Sequence, residues 1–169
     1  MAIAAHLSDV LDSSRCVAAY LPLPSEPLDP DLPHTLAGRM RVLIPVVTGP
    51  APLDWCEFTE ATRPGRLGIE EPAGRQLGPE AIADADVVLV PALAVSARGY
   101  RLGRGGGHYD RTLALRDRLR GSVDPAGDLL IALVYDEEFG LTVPHDELDR
   151  PVTAAVTPTR GLLRLATGS

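Results

Sequence analysis

The stretch 99–110 reads Gly-Tyr-Arg-Leu-Gly-Arg-Gly-Gly-Gly-His-Tyr-Asp and gathers most of the residues suited to chemistry. Glycines at 103, 105, 106 and 107 let successive backbone N–H groups point into one concavity, because no Cβ stands in the way. Arg101 and Arg104 add two planar, permanently charged donors whose fork matches phosphate oxygens. The stretch follows an apolar run and feeds a helical pattern, whose first-turn N–H groups and macrodipole favour an anion. Asp110 falls in that first turn, where a carboxylate either caps the helix or carries a divalent cation. This is not a Walker A loop, because no Gly-Lys-Ser/Thr follows, nor does it match Gly-x-Gly-x-x-Gly. Glycine-rich turns between strand and helix also occur without a ligand, so the residues alone leave a phosphate cradle and a plain turn both open.

The elements that must position this loop are legible around it. Apolar runs of strand length alternate with helical or loop-rich stretches, a pattern of layered α/β domains. Strands are predicted over residues 17–21, 41–47, 54–58, 86–90, 129–135 and 152–157. Residues 42–44, 87–90 and 129–134 are almost continuously apolar, as in strands buried on both faces of a parallel or mixed sheet. The clearest helix runs from 108 to 120 and ends at Gly121, predicted as a left-handed cap. On it Leu115 and Leu119 share a face, with Arg116, Asp117, Arg118 and Arg120 expected on the wet side. Shorter helices are predicted at 3–11, 31–37 and 79–83. Proline- and glycine-rich connections span 22–33, 48–52 and 63–79, long enough to suggest function rather than mere linkage.

Composition narrows the partners. The chain has 169 residues, 45% hydrophobic and 23% charged, which suits one soluble domain spanning 1–169. A net charge of −7 argues against a nucleic-acid backbone as partner. All 16 basic residues are arginine, so phosphate contacts must come from Arg, backbone N–H groups or a metal. Cys16 and Cys56 lie apart in apolar surroundings and are expected as buried free thiols, and the four histidines show no zinc spacing. No basic segment precedes an apolar one at the start, and the apolar run 87–95 is too short for a bilayer. These features predict a cytoplasmic protein without membrane contact.

Ordered motifs carry a family resemblance. Pro91-Ala-Leu-Ala-Val followed by Gly99-x-Arg101-Leu102-Gly103-Arg104-Gly105-x-Gly107-x-Tyr109-Asp110-Arg111-x-Leu113 resembles the signature of the 5-formyltetrahydrofolate cyclo-ligase family. Tyr20-Leu-Pro-x-x-x-Glu26, Val42-Leu-Ile-Pro45, Gly68-Ile-Glu-Glu-Pro72 and Val143-Pro-His-Asp-Glu-Leu-Asp149 resemble its other segments in the same order. The likeness spans about residues 15 to 158. It implies a three-layer α/β/α sandwich around a mostly parallel, mixed sheet of Rossmann-like type. It also implies an enzyme that uses ATP to convert 5-formyltetrahydrofolate to 5,10-methenyltetrahydrofolate, with Mg2+ required. Carried over by position, Arg101, Leu102, Gly103, Arg104, Gly105, Gly106, Gly107, His108 and Tyr109 would line ATP, with Arg104 and Tyr109 catalytic. Leu21, Glu26 and Tyr109 would meet the folate, and Asp110 and Asp149 would hold magnesium. The partners expected are these small molecules, with the chain a monomer or weak homodimer.

The sequence also departs from the family pattern. Family members normally open with a basic helix, whereas the first cation of the given sequence is Arg15, so either the start is misassigned or the protein lacks that arm. Gly106 stands where relatives carry Lys, and His108 where a second Tyr is usual. Val95-Ser96 replaces Phe-Asp, and Thr153 replaces an Asp, removing carboxylates near the expected metal and substrate region. The alternative is therefore a catalytically weak or inactive relative that binds folate or nucleotide. His108 is expected to stand in for Tyr through one ring nitrogen, His145 and Asp146 to sit in a solvated loop, and Tyr20 and Trp55 to be core aromatics.

Overall fold

The computed structural model describes residues 2–64, 70–121 and 127–166. Gly68 and Ile69 of the Glu-Pro motif lie outside the described residues. The chain runs α1 (Ala2–Asp12), β1 (Cys16–Ala18), α2 (Leu32–Ala37), β2 (Arg41–Val46), β3 (Asp54–Glu57), β4 (Thr62–Pro64) and β5 (Glu70–Pro72). A 3-10 segment at Pro79–Asp84 leads to β6 (Val87–Pro91), the short β7 (Ala94–Val95) and β8 (Arg101–Leu102), and α3 (His108–Arg120). The last elements are β9 (Leu129–Leu133), a 3-10 turn at Asp136–Glu138, β10 (Ala154–Thr157) and β11 (Gly161–Arg164).

Seven strands form one sheet in the order β11-β10-β9-β6-β1-β2-β3. The contiguous strands β2, β1, β6, β9 and β10 pair in parallel, whereas β3 and β11 close the two edges antiparallel. Alternation along each strand divides the core. Val17, Ala19, Val42, Ile44, Leu89, Ile131 and Val156 face α1 and α2, packing on Ile3, Leu7, Leu11, Leu32 and Leu36. Ala18, Leu43, Val88, Val90, Leu130 and Ala132 face the other way, onto Ile82, Leu113 and Trp55. The sheet is thus covered on both sides, which is why its central strands are apolar at every position. The three-layer α/β expectation holds.

Some local expectations do not. β1 is only three residues long, so Tyr20 and Leu21 lie beyond it. β11, the β4–β5 ribbon and the β7–β8 hairpin were not anticipated. Gly121 ends α3 with positive φ but extended ψ (69°, −165°), not as a left-handed cap. On α3 the buried residues are Thr112, Leu113 and Arg116, while Leu119 is 47% exposed. Arg116 faces inward because Asp128, just ahead of β9, meets it: Nη1 donates to both carboxylate oxygens at 2.6 and 2.8 Å, and Nη2 to the Ala85 carbonyl. The expected solvated arginine face therefore starts beyond Arg116.

The chain leaves β1 for β2 on one side and returns through β6 on the other. In doubly wound sheets, the crevice beyond the carboxyl ends of strands at such a reversal is where ligands bind.

Candidate active site

The carboxyl ends of β1 and β6 bring two loops face to face. Beyond β1, Tyr20 and Leu21 precede a turn in which the Leu23 N–H donates to Glu26 Oε2 at 2.7 Å, fixing the carboxylate. Beyond β6, β7 and β8 form a hairpin closed at Ser96, whose N–H donates to Tyr100 O and whose Oγ accepts from the Tyr100 N–H. From β8 the glycine loop runs directly into α3. Arg104, on this loop, places Nη2 3.8 Å from Glu26 Oε1.

The loop is shaped by its glycines where the backbone requires it. Gly107 sits at φ 65°, ψ 12° as the residue that starts α3, with no side-chain cap on the first-turn N–H groups. Those N–H groups stay available for an anion. Gly99, at φ 86°, passes so close to the 150–153 segment that a Cβ would lie 2.3 Å from Val152 O. In return the Val152 N–H donates to Gly99 O at 2.9 Å.

Arg101 and Asp110 weld the hairpin to α3. Arg101 Nη2 donates to Asp110 Oδ1 at 2.8 Å and Nη1 to Arg150 O at 2.5 Å, with the Arg101 side chain only 5% exposed. The Arg150 N–H completes the set by donating to the same Asp110 oxygen at 3.0 Å. The described bonds of Asp110 thus run to Arg101 and Arg150 rather than to N–H groups of its own helix. Of the two loop arginines, Arg104 keeps its charge toward solvent, with 55% of its side chain exposed. Leu102 is also exposed.

Glu26 is a neighbouring charge to the phenols of both Tyr20 and Tyr109. Burial, with Glu26 and Tyr109 as neighbouring charges, holds the Tyr20 phenol well above its ordinary pKa. Burial likewise raises the Tyr109 phenol, opposed by Arg101 and reinforced by Glu26. Both are neutral donors near neutral pH. Leu21 is half-buried against the α1–α2 core. Beside Glu26 an open cleft of about 450 Å³ extends past Asp29, Pro30, Tyr135 and Pro158.

The sites expected for metal converge only in part. Asp149 Oδ2 accepts from the Asp146 N–H at 2.8 Å, and Asp149 directly precedes the Arg150 that binds Asp110. Among the described residues, no three His, Cys, Asp or Glu side chains group as a ready-made cation site. The described bonds leave Oδ2 of Asp110 and Oδ1 of Asp149 uncommitted, which fits magnesium held by one or two carboxylates together with phosphates and water.

Other expectations resolve locally. His108 Nδ1 lies 3.3 Å from Arg111 Nη2 and 3.5 Å from Ala51 O, and according to tautomer it accepts from the first or donates to the second. His145 stacks on Tyr100, rings 3.6 Å apart and 12° from parallel, which fastens a loop otherwise exposed. Thr153 is buried and bonds the backbone of Asp128 and Leu130 at the start of β9, so its hydroxyl serves the sheet rather than the metal region. Trp55 and Tyr20 are buried, and Cys16 and Cys56 are buried thiols outside any disulfide, with Cys56 Sγ donating to Gly74 O at 3.3 Å. No described helix is long and apolar enough to cross a membrane. Arg150 was missed because its contribution is backbone N–H and C=O, which no residue type announces. Only its place after Asp149 hinted at it.

A doubly wound sheet with a glycine loop running into a helix at its switch crevice defines an α/β protein of the doubly wound class. Comparison with known proteins makes this specific. Residues 1–158 match the family model described as the 5-formyltetrahydrofolate cyclo-ligase family, and the chain belongs to that family of ligases. It is 40% identical to the 5-formyltetrahydrofolate cyclo-ligase of Mycolicibacterium smegmatis over 175 aligned positions, covering 97% of this chain and 84% of that one. The NMR structure of Aquifex aeolicus 5,10-methenyltetrahydrofolate synthetase superposes with a TM-score of 0.72 at 28% identity, covering 99% of this chain and 83% of that one. The 5,10-methenyltetrahydrofolate synthetase of Mycoplasma pneumoniae shares the fold, with a TM-score of 0.61 at 18% identity, over 89% of this chain and 80% of that one.

Proposed function

We propose that the protein closes 5-formyltetrahydrofolate to 5,10-methenyltetrahydrofolate at the expense of ATP, releasing ADP and phosphate. The observation that carries this reading is the meeting of Glu26 and Arg104 across the crevice, one a fixed acceptor and the other an exposed cation on a phosphate-shaped loop. Family membership supplies the substrate class.

In this reading the formyl oxygen attacks the γ-phosphorus of ATP and the bond to ADP breaks, leaving an iminium phosphate. The N10 lone pair then attacks the formyl carbon, phosphate departs with the oxygen, and N10 loses its proton. The loop N–H groups at 103–107, the start of α3 and Arg104 hold the phosphates. His108 and Tyr109 border them. Glu26 accepts from folate N–H groups, with Leu21 and Tyr109 against the ring. Phosphoryl transfer needs mainly positioning and charge neutralisation, and these groups provide both. Arg101 acts through Asp110, holding it against the 149–150 segment. Asp110 and Asp149 would hold Mg2+, which supplies further charge neutralisation on the phosphates.

A second reading, a relative that binds folate or nucleotide with little turnover, draws on one observation. Arg101 is engaged within the protein and position 106 carries glycine, so the loop offers ATP one exposed guanidinium, that of Arg104, itself loosely paired with Glu26. We place the protein in the cytoplasm, as a monomer or weak dimer, in keeping with two buried thiols that form no disulfide.

The test is growth of the methenyl-folate absorbance band with purified protein, Mg-ATP and 5-formyltetrahydrofolate. ATP-dependent growth supports the ligase. A flat trace from folded protein that still binds the folate supports the second reading.

A further inference from the structure

Between Gly140 and β10 the chain forms no helix or strand, and residues 144–148 are exposed. Asp149 lies in this stretch, so its place depends on the ties at either end. The turn itself is closed from within: the Asp146 N–H donates to Asp149 Oδ2 at 2.8 Å, and the Leu148 N–H to Asp146 Oδ1 at 2.8 Å. These bonds shape the turn but do not attach it to the rest of the fold. Downstream, Arg150 is bound through its main chain to Arg101 and Asp110. Upstream, Val143 is buried and His145 lies flat on Tyr100, rings 3.6 Å apart and 12° from parallel. The His145 Nδ1 stands 3.2 Å from Val143 O. Tyr100 and Arg101 are neighbours in the chain. The turn carrying Asp149 is thus pinned at both ends to two consecutive residues of the hairpin, one of which holds Asp110.

A stack between exposed rings adds little to the stability of a whole domain, yet it suffices to bias a short turn between seated and unseated positions. With one pin lost, the turn would be seated for only part of the time. Affinity for a ligand that needs it seated falls by that fraction. We propose that His145, through its stack on Tyr100, is a positioning residue that keeps the Asp149 carboxylate in step with Asp110 for a divalent cation. It acts through the turn and needs no contact of its own with cation or phosphate. The assignment rests on the proposed function, in which the two carboxylates share magnesium.

The test measures affinity for a non-hydrolysable ATP analogue by calorimetric titration, with and without Mn2+, in wild type, His145→Ala, His145→Phe and Tyr100→Leu. Hydrogen exchange of the Asp146 and Arg150 amides, which donate to Asp149 and Asp110, is followed by NMR in metal-free protein. In His145→Ala the strengthening that Mn2+ gives to analogue binding should fall about tenfold, the scale of losing a partner that orients a metal ligand. Affinity without metal should not change. Both amides should exchange faster, while the amides of β6 and β9 and the melting temperature stay as in wild type. Tyr100→Leu should lose the same amount, and the double substitution should add nothing, since each removes the one contact. His145→Phe keeps a ring for the stack and should restore the response to Mn2+. An unchanged response in His145→Ala overturns the proposal. So does equal weakening with and without Mn2+ at a lower melting temperature, which marks a general packing role. Failure of His145→Phe to restore the response would move the effect to the ring nitrogens and overturn the stack. If Mn2+ does not strengthen binding even in wild type, the proposed metal site fails and this assignment with it, a result distinct from all the others.

Discussion

Arg104 Nη2 lies 3.8 Å from Glu26 Oε1, so the cation of the glycine loop and the carboxylate beyond β1 partly neutralise each other across the crevice. With the arginine more than half exposed, such a pair adds little to stability and yields readily to a ligand. Phosphate would draw Arg104 away and release a Glu26 oxygen toward an incoming N–H. The two substrates would therefore prepare the site for one another.

Glu26→Gln should weaken binding of 5-formyltetrahydrofolate by about tenfold or more, the scale of one hydrogen bond to a charged group. It should leave nucleotide affinity nearly unchanged. Arg104→Ala should do the reverse, raising the KM for ATP while stability stays within about 0.5 kcal/mol. Titration of each variant with each ligand, alongside denaturant melts, checks both halves.

Asp110 carries two tasks that one substitution can separate. Asparagine at 110 keeps an oxygen for the Arg101 guanidinium and the Arg150 N–H but removes the charge a cation needs. Asp110→Asn should therefore fold nearly as well as wild type and require far more magnesium for turnover. Asp110→Ala should lose about 1–3 kcal/mol of stability as well, because the buried Arg101 loses its carboxylate. Urea melts and magnesium titrations distinguish the two variants.

Asp128→Ala tests the inward face of α3. It would leave Arg116, 1% exposed, as an unpaired buried charge, at a loss of about 3–5 kcal/mol. Arg116→Met should be milder, since it removes the charge and keeps much of the packing volume. A larger loss for Arg116→Met than for Asp128→Ala would contradict this account.

Gly99→Ala should destabilise by about 2–3 kcal/mol through an unfavourable positive φ and a clash with backbone. The obstructing atom, Val152 O, cannot swing aside as a side chain could. Thermal melts provide the measurement, and a loss below the scatter of surface substitutions would show that the 150–153 segment yields easily.

Much of this was readable in the residues because the relevant signals are local. α3 has the bounds predicted for it, and the apolar runs of β2, β6 and β9 marked the buried centre of the sheet. The glycine loop, Glu26 and Asp110 were found through ordered motifs, and the structure gathers them beyond the carboxyl ends of the central strands β1 and β6. What escaped depends on distant partners. Arg116 looks like a surface cation until Asp128 is folded against it. β7 and β8 have two residues each and exist only through their mutual register. β11 follows a tight turn after Thr157 and shows no alternation strong enough to stand out from a tail. His145 lies in a motif already noticed, but a histidine in an exposed loop gives no sign that Tyr100 will meet its ring.

The junction of Gly99 with Val152 is made of main chain on both sides. Evolution can therefore exchange Val152 only for another residue that suits the buried core, and it cannot easily alter the number of residues between Gly99 and Arg101, or between Asp149 and Val152. An insertion there would slide one segment along the other and carry Asp110 and Asp149 out of step. Lineages of this protein should record that constraint as fixed spacing around the glycine at 99, with gaps gathering in turns such as 48–52 instead.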